Sequence, residues 1–391
     1  MTPGARTQAA IELLDQIVAA AAEGGAAADT LVGRYFATRR YAGSKDRRAV
    51  RELVYRAVRR CGERPPSGRA AMLAVAGEDG DVAAGFDGSP HGPSPIGADE
   101  RAAKAGLAPR WLLDLLRASG LDGDELHALI ERAPLDLRVN RLRAEPGEVA
   151  ARLEGARAIE GLPDALRLSA GTDVASLAGL VEVQDAGSQA VTLATLARPG
   201  GRVVDLCAGG GGKTLALAAM MANDGAILAC DTDRGRLRRL MPRAEGAGIT
   251  IVETRLLNPN RELELLPEWR DAADLVLVDA PCSGTGTWRR NPEARWRLSP
   301  ERLERLVATQ AHLLRIAAEL VLPGGALVYV VCSLLDGEGR GQVQTFLAAH
   351  PGWAADRPKI GFGRPHCLGL RLTPAHDRTD GFFVARLKRP C

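Results

Sequence analysis

RVVDLCAGGGGKT, residues 202–214, is the stretch on which the fold turns. A short apolar run containing Val203 and Val204 ends in an acid, Asp205. Four consecutive glycines, Gly209 to Gly212, follow before Lys213 and Thr214 open a helical stretch. A strand that breaks into glycines and then a helix reads as a βα joint. There the backbone can approach a ligand closely, and the helix start offers unpaired N–H groups. Working outward, the apolar runs AILAC (226–230), ITIVE (249–253), DLVLVD (274–279) and ALVYVV (326–331) alternate with helical stretches at 213–222, 233–246 and 300–320. That alternation predicts an α/β fold with a mostly parallel sheet covered on both faces. Such sheets take their ligands at the carboxyl ends of the strands, so the chemistry is expected just after Cys207, Cys230, Asp279 and Val331.

Three nucleotide loops compete for the glycine run. A P-loop needs G-x-x-x-x-G-K-[ST]; Gly212, Lys213 and Thr214 supply its end, but Cys207 stands where its first glycine belongs. The dinucleotide fingerprint G-x-G-x-x-G fails at Thr214. A methyltransferase loop, an acid on the first strand followed by G-x-G, is met by Asp205, Gly209 and Gly211. It also requires an acid at the tip of the next strand to accept ribose hydroxyls, and Asp231 stands there. LVLVD (275–279) keeps the P-loop reading open, because it can pass for the metal-binding strand of an ATPase.

Two further strand ends carry cysteines: Cys282 in DAPCSGTG (279–286) and Cys332 in VCS (331–333). Buried cysteines often serve only as small apolar groups, which suits Cys61, Cys230, Cys367 and Cys391. Two thiols at the ligand-bearing ends of neighbouring strands suit covalent catalysis instead, in which a thiolate splits one difficult step into easier ones.

Elsewhere the sequence is less specific. Residues 7–22 and 45–60 place apolar residues at helical spacing, and arginines cover the other face of the second helix. Residues 78–98 are rich in Gly and Pro and read as a loop or linker. Helical pattern returns over 109–132. A small α/β segment follows: a strand at 137–140, a helix opened by Pro146, and a strand at 165–168. The expected organisation is a helical region 1–133, a small α/β segment 134–183 and a catalytic domain 184–391. Between Arg34 and Arg69 twelve Lys/Arg face three Asp/Glu, in a chain whose formal net charge is only +3. A basic block beside a mildly acidic remainder suggests a polyanionic partner. No export signal or long apolar run is evident, and the seven cysteines are spread without metal-ligand spacing. A cytoplasmic protein with neither metal nor disulfide framework is expected. Nothing calls for an obligate protein partner or a membrane, and a monomer is expected.

These motifs together resemble the RsmB/Nop2/Sun group of RNA cytosine-5 methyltransferases, above all its bacterial ribosomal RNA members. DLCAGGGGKT resembles the group's loop motif D-x-C-A-x-P-G-G-K, and VYVVCSLL (328–335) its Y-x-T-C-S motif. DAPCSGTGTWRRNPEARW (279–296) follows the intervening motif almost word for word. LRVNRL (137–142), VQDAGSQ (183–189) and TDGFFVARL (379–387) resemble further segments, so the likeness spans about 100–391. GSKDR (43–47) and the arginine-rich helix after it resemble the NusB-like helical RNA-binding domain of the ribosomal members. There are departures: Gly210-Gly211 replaces Ala-Pro, Val331 replaces Thr, and DGEGRGQ follows Cys332 where an E-N-E-like run is common.

The resemblance implies a class I, Rossmann-like methyltransferase domain using S-adenosylmethionine, and cytosine in RNA, most of all small-subunit (16S) rRNA, as substrate. A thiolate adding to carbon 6 of cytosine makes carbon 5 nucleophilic enough to accept a methyl group. In this group the attacking cysteine is that of the later motif, Cys332, while Cys282 helps release the product. DNA cytosine-5 methyltransferases use the cysteine of a P-C motif, which would reverse the roles. Asp279 and Lys213 complete the catalytic set, Asp279 acting at ring nitrogen 3. Cys207, Ala208, Gly209, Gly210, Gly211, Gly212, Lys213, Asp231 and Asp279 are the expected cofactor residues. Trp288, Arg289, Arg290, Arg295, Trp296 and Arg297 offer either phosphate and base contacts or a packed tryptophan with solvated arginines. The rival functions are the same chemistry on tRNA or another RNA, a P-loop NTPase that assembles ribosomes, and a catalytically silent RNA-binding assembly factor.

Overall fold

The structure is a computed structural model that describes all 391 residues. The chain divides into two compact units, one of Met1–Glu131 with Thr287–Ser299 and one of Arg132–Gly286 with Pro300–Cys391.

The first unit is helical: α1 (Pro3–Glu23), α2 (Ala28–Ala37), α3 (Ser44–Arg60), α4 (Gly68–Ala76), α5 (Gly80–Ala84), α6 (Arg110–Ala118) and α7 (Gly123–Ala128). Leu13, Leu14 and Ile17 of α1 meet Val50, Val54 and Val58 of α3 and Met72 of α4 in one apolar core. This is the i, i+3, i+4 stripe read from the sequence. The short α5 falls inside the Gly/Pro-rich stretch, where the Asp79 carboxylate accepts the amides of Asp81 and Val82 and so starts a turn of helix.

Thr287–Ser299 bears out the packed tryptophans but not the solvated arginines. Trp288 and Trp296 are buried, and Arg295 is wholly buried. The Arg295 guanidinium donates to the carbonyls of Val58 at 2.6 Å and Cys61 at 2.9 Å, at the end of α3. Trp296 Nε1 donates to the same Cys61 carbonyl at 3.1 Å. Arg297 donates to the Ala20 carbonyl in the last turn of α1 at 3.3 Å, and to the carbonyls of Gly25 at 2.8 Å and Ala26 at 2.6 Å just beyond it. The last carbonyls of a helix lack intrahelical partners, and these side chains supply them.

The second unit holds two sheets. The smaller contains β1 (Leu135–Val139), β2 (Arg157–Ile159), β3 (Leu162–Leu168) and β4 (Val181–Val183) in the order β2-β3-β1-β4, all antiparallel. Helix α8 (Pro146–Ala151) packs on it through Val149, against Leu137, Val139, Leu166 and Leu168.

The larger sheet is built from β5 (Arg202–Asp205), β6 (Ala226–Asp231), β7 (Val252–Leu256), β8 (Ala273–Asp279), β9 (Val321–Val331), β10 (Ala354–Ala355), β11 (Arg364–His366), β12 (Gly369–Leu372) and β13 (Phe382–Lys388). Its order is β11-β12-β13-β9-β8-β5-β6-β7, with β10 beside β13. The block β9-β8-β5-β6-β7 is parallel, and β13 returns antiparallel to β9, placing Phe383 opposite Val331. Alternate residues face opposite layers. Val203, Leu275, Leu277, Val328 and Val330 pack with α9 (Ala186–Leu193), α10 (Gly212–Met220) and α12 (Leu240–Ala247). Val204, Val276, Val278, Leu327 and Tyr329 pack with α13 (Pro300–Leu320) and α14 (Arg340–Ala349). The short helices α11 (Arg234–Leu237) and α15 (Pro374–Asp377) complete the unit.

The expected strand at 249–253 begins instead at Val252. Gly248 ends α12 in a left-handed conformation, and Ile249 packs into the core from the turn that follows. β7 lies at the edge of the sheet and carries Glu253, Thr254 and Arg255, which explains why hydropathy alone misplaces it.

Candidate active site

The glycine turn links β5 to α10. Gly209 and Gly211 have φ of 56° and 88°, the left-handed region that glycine enters without penalty. A Cβ on Gly211 would lie 2.5 Å from Leu240 Cγ, so the turn also depends on having no side chain there. By contrast, a Cβ on Gly212 would meet nothing within 4 Å, leaving open space at the helix start. Asp231, at the tip of β6, accepts the Gly209 amide at 2.8 Å on one oxygen and the Asp233 amide at 2.7 Å on the other. It therefore shapes the turn, and each oxygen retains a lone pair.

Two residues outside the sequence motifs support the same turn. Arg243 of α12 donates to the Gly210 carbonyl, and its other nitrogen reaches Glu182 Oε2 at 2.6 Å. No sequence signal separates Arg243 from its arginine-rich neighbours. Beneath the turn, Asp205 is buried and accepts the Thr214 hydroxyl at 2.7 Å. Burial, reinforced by Asp279, pushes its carboxyl up to about 7 despite the Thr214 hydrogen bond. Its second oxygen, Oδ1, is buried without a hydrogen-bond partner.

Lys213 reaches across from α10 to Asp279 at the end of β8, with Nζ 2.7 Å from Oδ2. Burial opposes the ammonium charge, but the Asp279 carboxylate and its hydrogen bond outweigh that, with Cys332 adding to them. The Lys213 pKa therefore lies above its ordinary value. The Phe382 ring lies 5.5 Å from this ammonium.

The two strand-end cysteines meet. Cys282 Sγ and Cys332 Sγ lie 3.3 Å apart. The hydrogen bond between the two sulfurs, then burial, then the electrostatic influence of Cys332 and Glu338 push the Cys282 thiol well above its ordinary value. Cys282 thus holds its proton. The peptide after Cys332 is pinned by its carbonyl, which accepts the Gly286 amide at 3.0 Å. Cys207 is also driven well above the ordinary thiol range by burial, so it lines the turn as an apolar group. Cys230 lies fully buried in the core.

The sequence-derived candidates therefore gather in one place: the turn Cys207–Gly212, Lys213, Asp231, Asp279, Cys282 and Cys332 all lie at the carboxyl ends of β5, β6, β8 and β9. Glycines over a helix start, an acid on the next strand and two thiols beside a Lys–Asp pair thus share one edge of the sheet.

Residues 192–388 match the family described as "16S rRNA methyltransferase RsmB/F". The chain belongs to the RsmB/F family. A relative in Xylella fastidiosa, ribosomal RNA small subunit methyltransferase B, is 37% identical over 71% of this chain and 68% of its own length. The probable ribosomal RNA small subunit methyltransferase B of Synechocystis sp. is 34% identical over 72% of this chain and 66% of its own. The chain thus spans about two thirds of the length of these RsmB/F relatives. The solved structure of PH0851 superposes with a TM-score of 0.79 at 26% identity, covering 100% of this chain and 99% of that one. A methyltransferase homolog protein from Pyrococcus horikoshii superposes at 0.59 with 26% identity, over 72% and 99% of the two chains.

The helical unit presents its own charged surface. Arg34, Arg40, Lys45, Arg47 and Arg48 are exposed, and so is Tyr41, at 74%. Nearby Arg39 and Arg51 are paired, with Glu12 and Asp29. No helix in the molecule is long and apolar enough to cross a membrane.

Proposed function

We propose that this RsmB/F-family protein transfers a methyl group from S-adenosylmethionine to carbon 5 of a cytosine in small-subunit rRNA, through a covalent bond between Cys332 and carbon 6. The observation that carries this reading is the 3.3 Å approach of Cys282 to Cys332 beside the Lys213–Asp279 pair. Family membership favours methyl transfer over the P-loop alternative, whose first glycine is missing at Cys207.

The residues suit the cofactor. Gly209 to Gly212 leave room at the helix start, Asp231 has spare acceptor capacity for ribose hydroxyls, and buried Asp205 Oδ1 lacks a partner. The bound cofactor supplies an electrophilic methyl group. Every other contribution comes from the chain. Cys332 adds to carbon 6 and places negative charge on the pyrimidine ring. Asp279 acts at ring nitrogen 3 as a protonated, hydrogen-bonding acid, and the Lys213 ammonium offsets the developing charge. Once carbon 5 carries the methyl group, its proton passes to solvent water, the electron pair of that C–H bond re-forms the carbon 5–carbon 6 double bond, and Cys332 leaves carbon 6 as a thiolate. Cys282, adjacent to that sulfur, assists this elimination. The base must leave its stack to reach the thiolate, because carbons 5 and 6 are shielded within a helix. Exposed Arg34, Arg40, Lys45, Arg47 and Arg48 suit RNA phosphates, and Tyr41 suits an unpaired base.

The deciding experiment incubates the protein with methyl-tritiated S-adenosylmethionine and unmodified small-subunit rRNA, and maps product by bisulfite sequencing. Label in 5-methylcytosine is expected. Incorporation confined to tRNA would replace the substrate, and no incorporation at high enzyme concentration would leave only an RNA-binding assembly role.

A further inference from the structure

Glu338 has no part in the scheme above, yet it is fully buried and accepts four hydrogen bonds. Its Oε1 takes the Ser283 amide at 2.8 Å and Gln310 Nε2 at 3.0 Å. Its Oε2 takes the hydroxyls of Ser283 and Ser333, the latter at 2.5 Å. Its backbone carbonyl accepts the Tyr329 hydroxyl at 2.6 Å. Ser283 directly follows Cys282, and Ser333 directly follows Cys332.

We propose that Glu338 is a positioning residue: one buried carboxylate that ties the two cysteine-bearing loops together, sets the spacing of their sulfurs, and holds a negative charge beside Cys282. The inference rests on the methyltransferase reading.

Three features argue for the carboxylate rather than a neutral tie. A carboxylate only accepts, so both serine hydroxyls must turn their protons toward it, which fixes both loops at once. Hydrogen bonds to a charged acceptor are roughly twice as strong as neutral ones, which offsets the desolvation of a buried charge. The charged neighbours of the two thiols also differ. Lys213 acts on Cys332, whereas Glu338 is among the groups that raise the Cys282 thiol. The network extends to the sheet, since Gln310 of α13 also donates to the Pro281 carbonyl at 2.9 Å and Thr285 Oγ1 accepts the Leu334 amide at 2.9 Å.

The test uses the full chain carrying Glu338→Gln, with Ser283→Ala and Ser333→Ala as variants that keep the charge. Iodoacetamide, which alkylates thiolates, is applied across pH 6 to 10 and the modified cysteine is located by peptide mass spectrometry. In Glu338→Gln the labelling of Cys282 relative to Cys332 should rise roughly tenfold, equivalent to one pKa unit. Its kcat should fall while KM for S-adenosylmethionine stays the same. Each serine variant should lose kcat yet keep the wild-type labelling ratio, a split that a general loss of folding cannot mimic. If Glu338→Gln does not fold, unchanged kcat in both serine variants overturns the proposal. A folded Glu338→Gln with wild-type kcat and labelling overturns it directly. Failure of the wild type to methylate RNA, with the labelling pattern still as expected, would count against the catalytic reading and not against the charge asymmetry.

Discussion

Cys282 and Cys332 stand at the ends of neighbouring parallel strands with their sulfurs 3.3 Å apart, and the contact with Cys332, together with burial, raises the Cys282 thiol well above its ordinary value. Cys332→Ala should therefore abolish the covalent enzyme–RNA adduct, whereas Cys282→Ala should accumulate it, because addition proceeds and elimination stalls. Denaturing gels of enzyme mixed with rRNA and S-adenosylmethionine read both outcomes. An adduct that persists in Cys332→Ala and vanishes in Cys282→Ala would exchange the two roles.

The Lys213–Asp279 pair acts on charge that develops during the reaction. Lys213→Met should reduce kcat by roughly 100-fold, the scale for losing one preorganised electrostatic group. The protein should still bind cofactor within a few-fold of wild type. Single-turnover methylation and calorimetry separate the two effects, and a loss confined to cofactor affinity would restrict Lys213 to the cofactor loop.

Gly211 is constrained twice, by its φ of 88° and by the proximity of Leu240. Gly211→Ala should cost about 1–3 kcal/mol of stability from backbone strain. It should also raise the KM for S-adenosylmethionine, since the turn must move away from Leu240. Thermal melting and cofactor titration check the two parts.

Asp205 carries a pH dependence of definite sign. Its folded pKa, raised to about 7 by burial, exceeds the unfolded value near 4. Protonation therefore favours the folded state. The stabilisation is fully present below about pH 4 and is lost as pH rises toward 7, at up to about 1.4 kcal/mol per pH unit. Asp205→Asn should remove that slope. Urea unfolding of both proteins between pH 4 and 8 measures the difference, and parallel profiles would show that Asp205 is ionised throughout.

Arg295 is a structural cap in the helical unit, its pKa pushed down to about 10 by burial. Arg295→Ala should destabilise that unit by about 3 kcal/mol, because it leaves buried carbonyls without donors. Hydrogen exchange should report loosening near Cys61. Unchanged protection there, with weakened RNA binding, would return Arg295 to the RNA surface.

Strand periodicity, the glycine run and the residues Asp231, Asp279, Cys282 and Cys332 were legible in the linear chain. Each lies at a strand end, and a parallel sheet brings all such ends to one edge. This follows from local pattern and the rule for βα units, without any knowledge of packing. The edge strand β7 was harder to place, because its polar residues carry no apolar alternation. Tertiary structure alone decided the role of residues whose partners lie far away in sequence. Arg243 supports Gly210 from 33 positions away, Glu338 joins two loops 50 residues apart, and Arg295 caps a helix more than 230 residues earlier. The sequence presents these side chains as ordinary surface charges. A charge becomes a cap or a clamp only when folding removes water and leaves specific donors or acceptors in its place, and that pairing is written in three dimensions rather than in spacing.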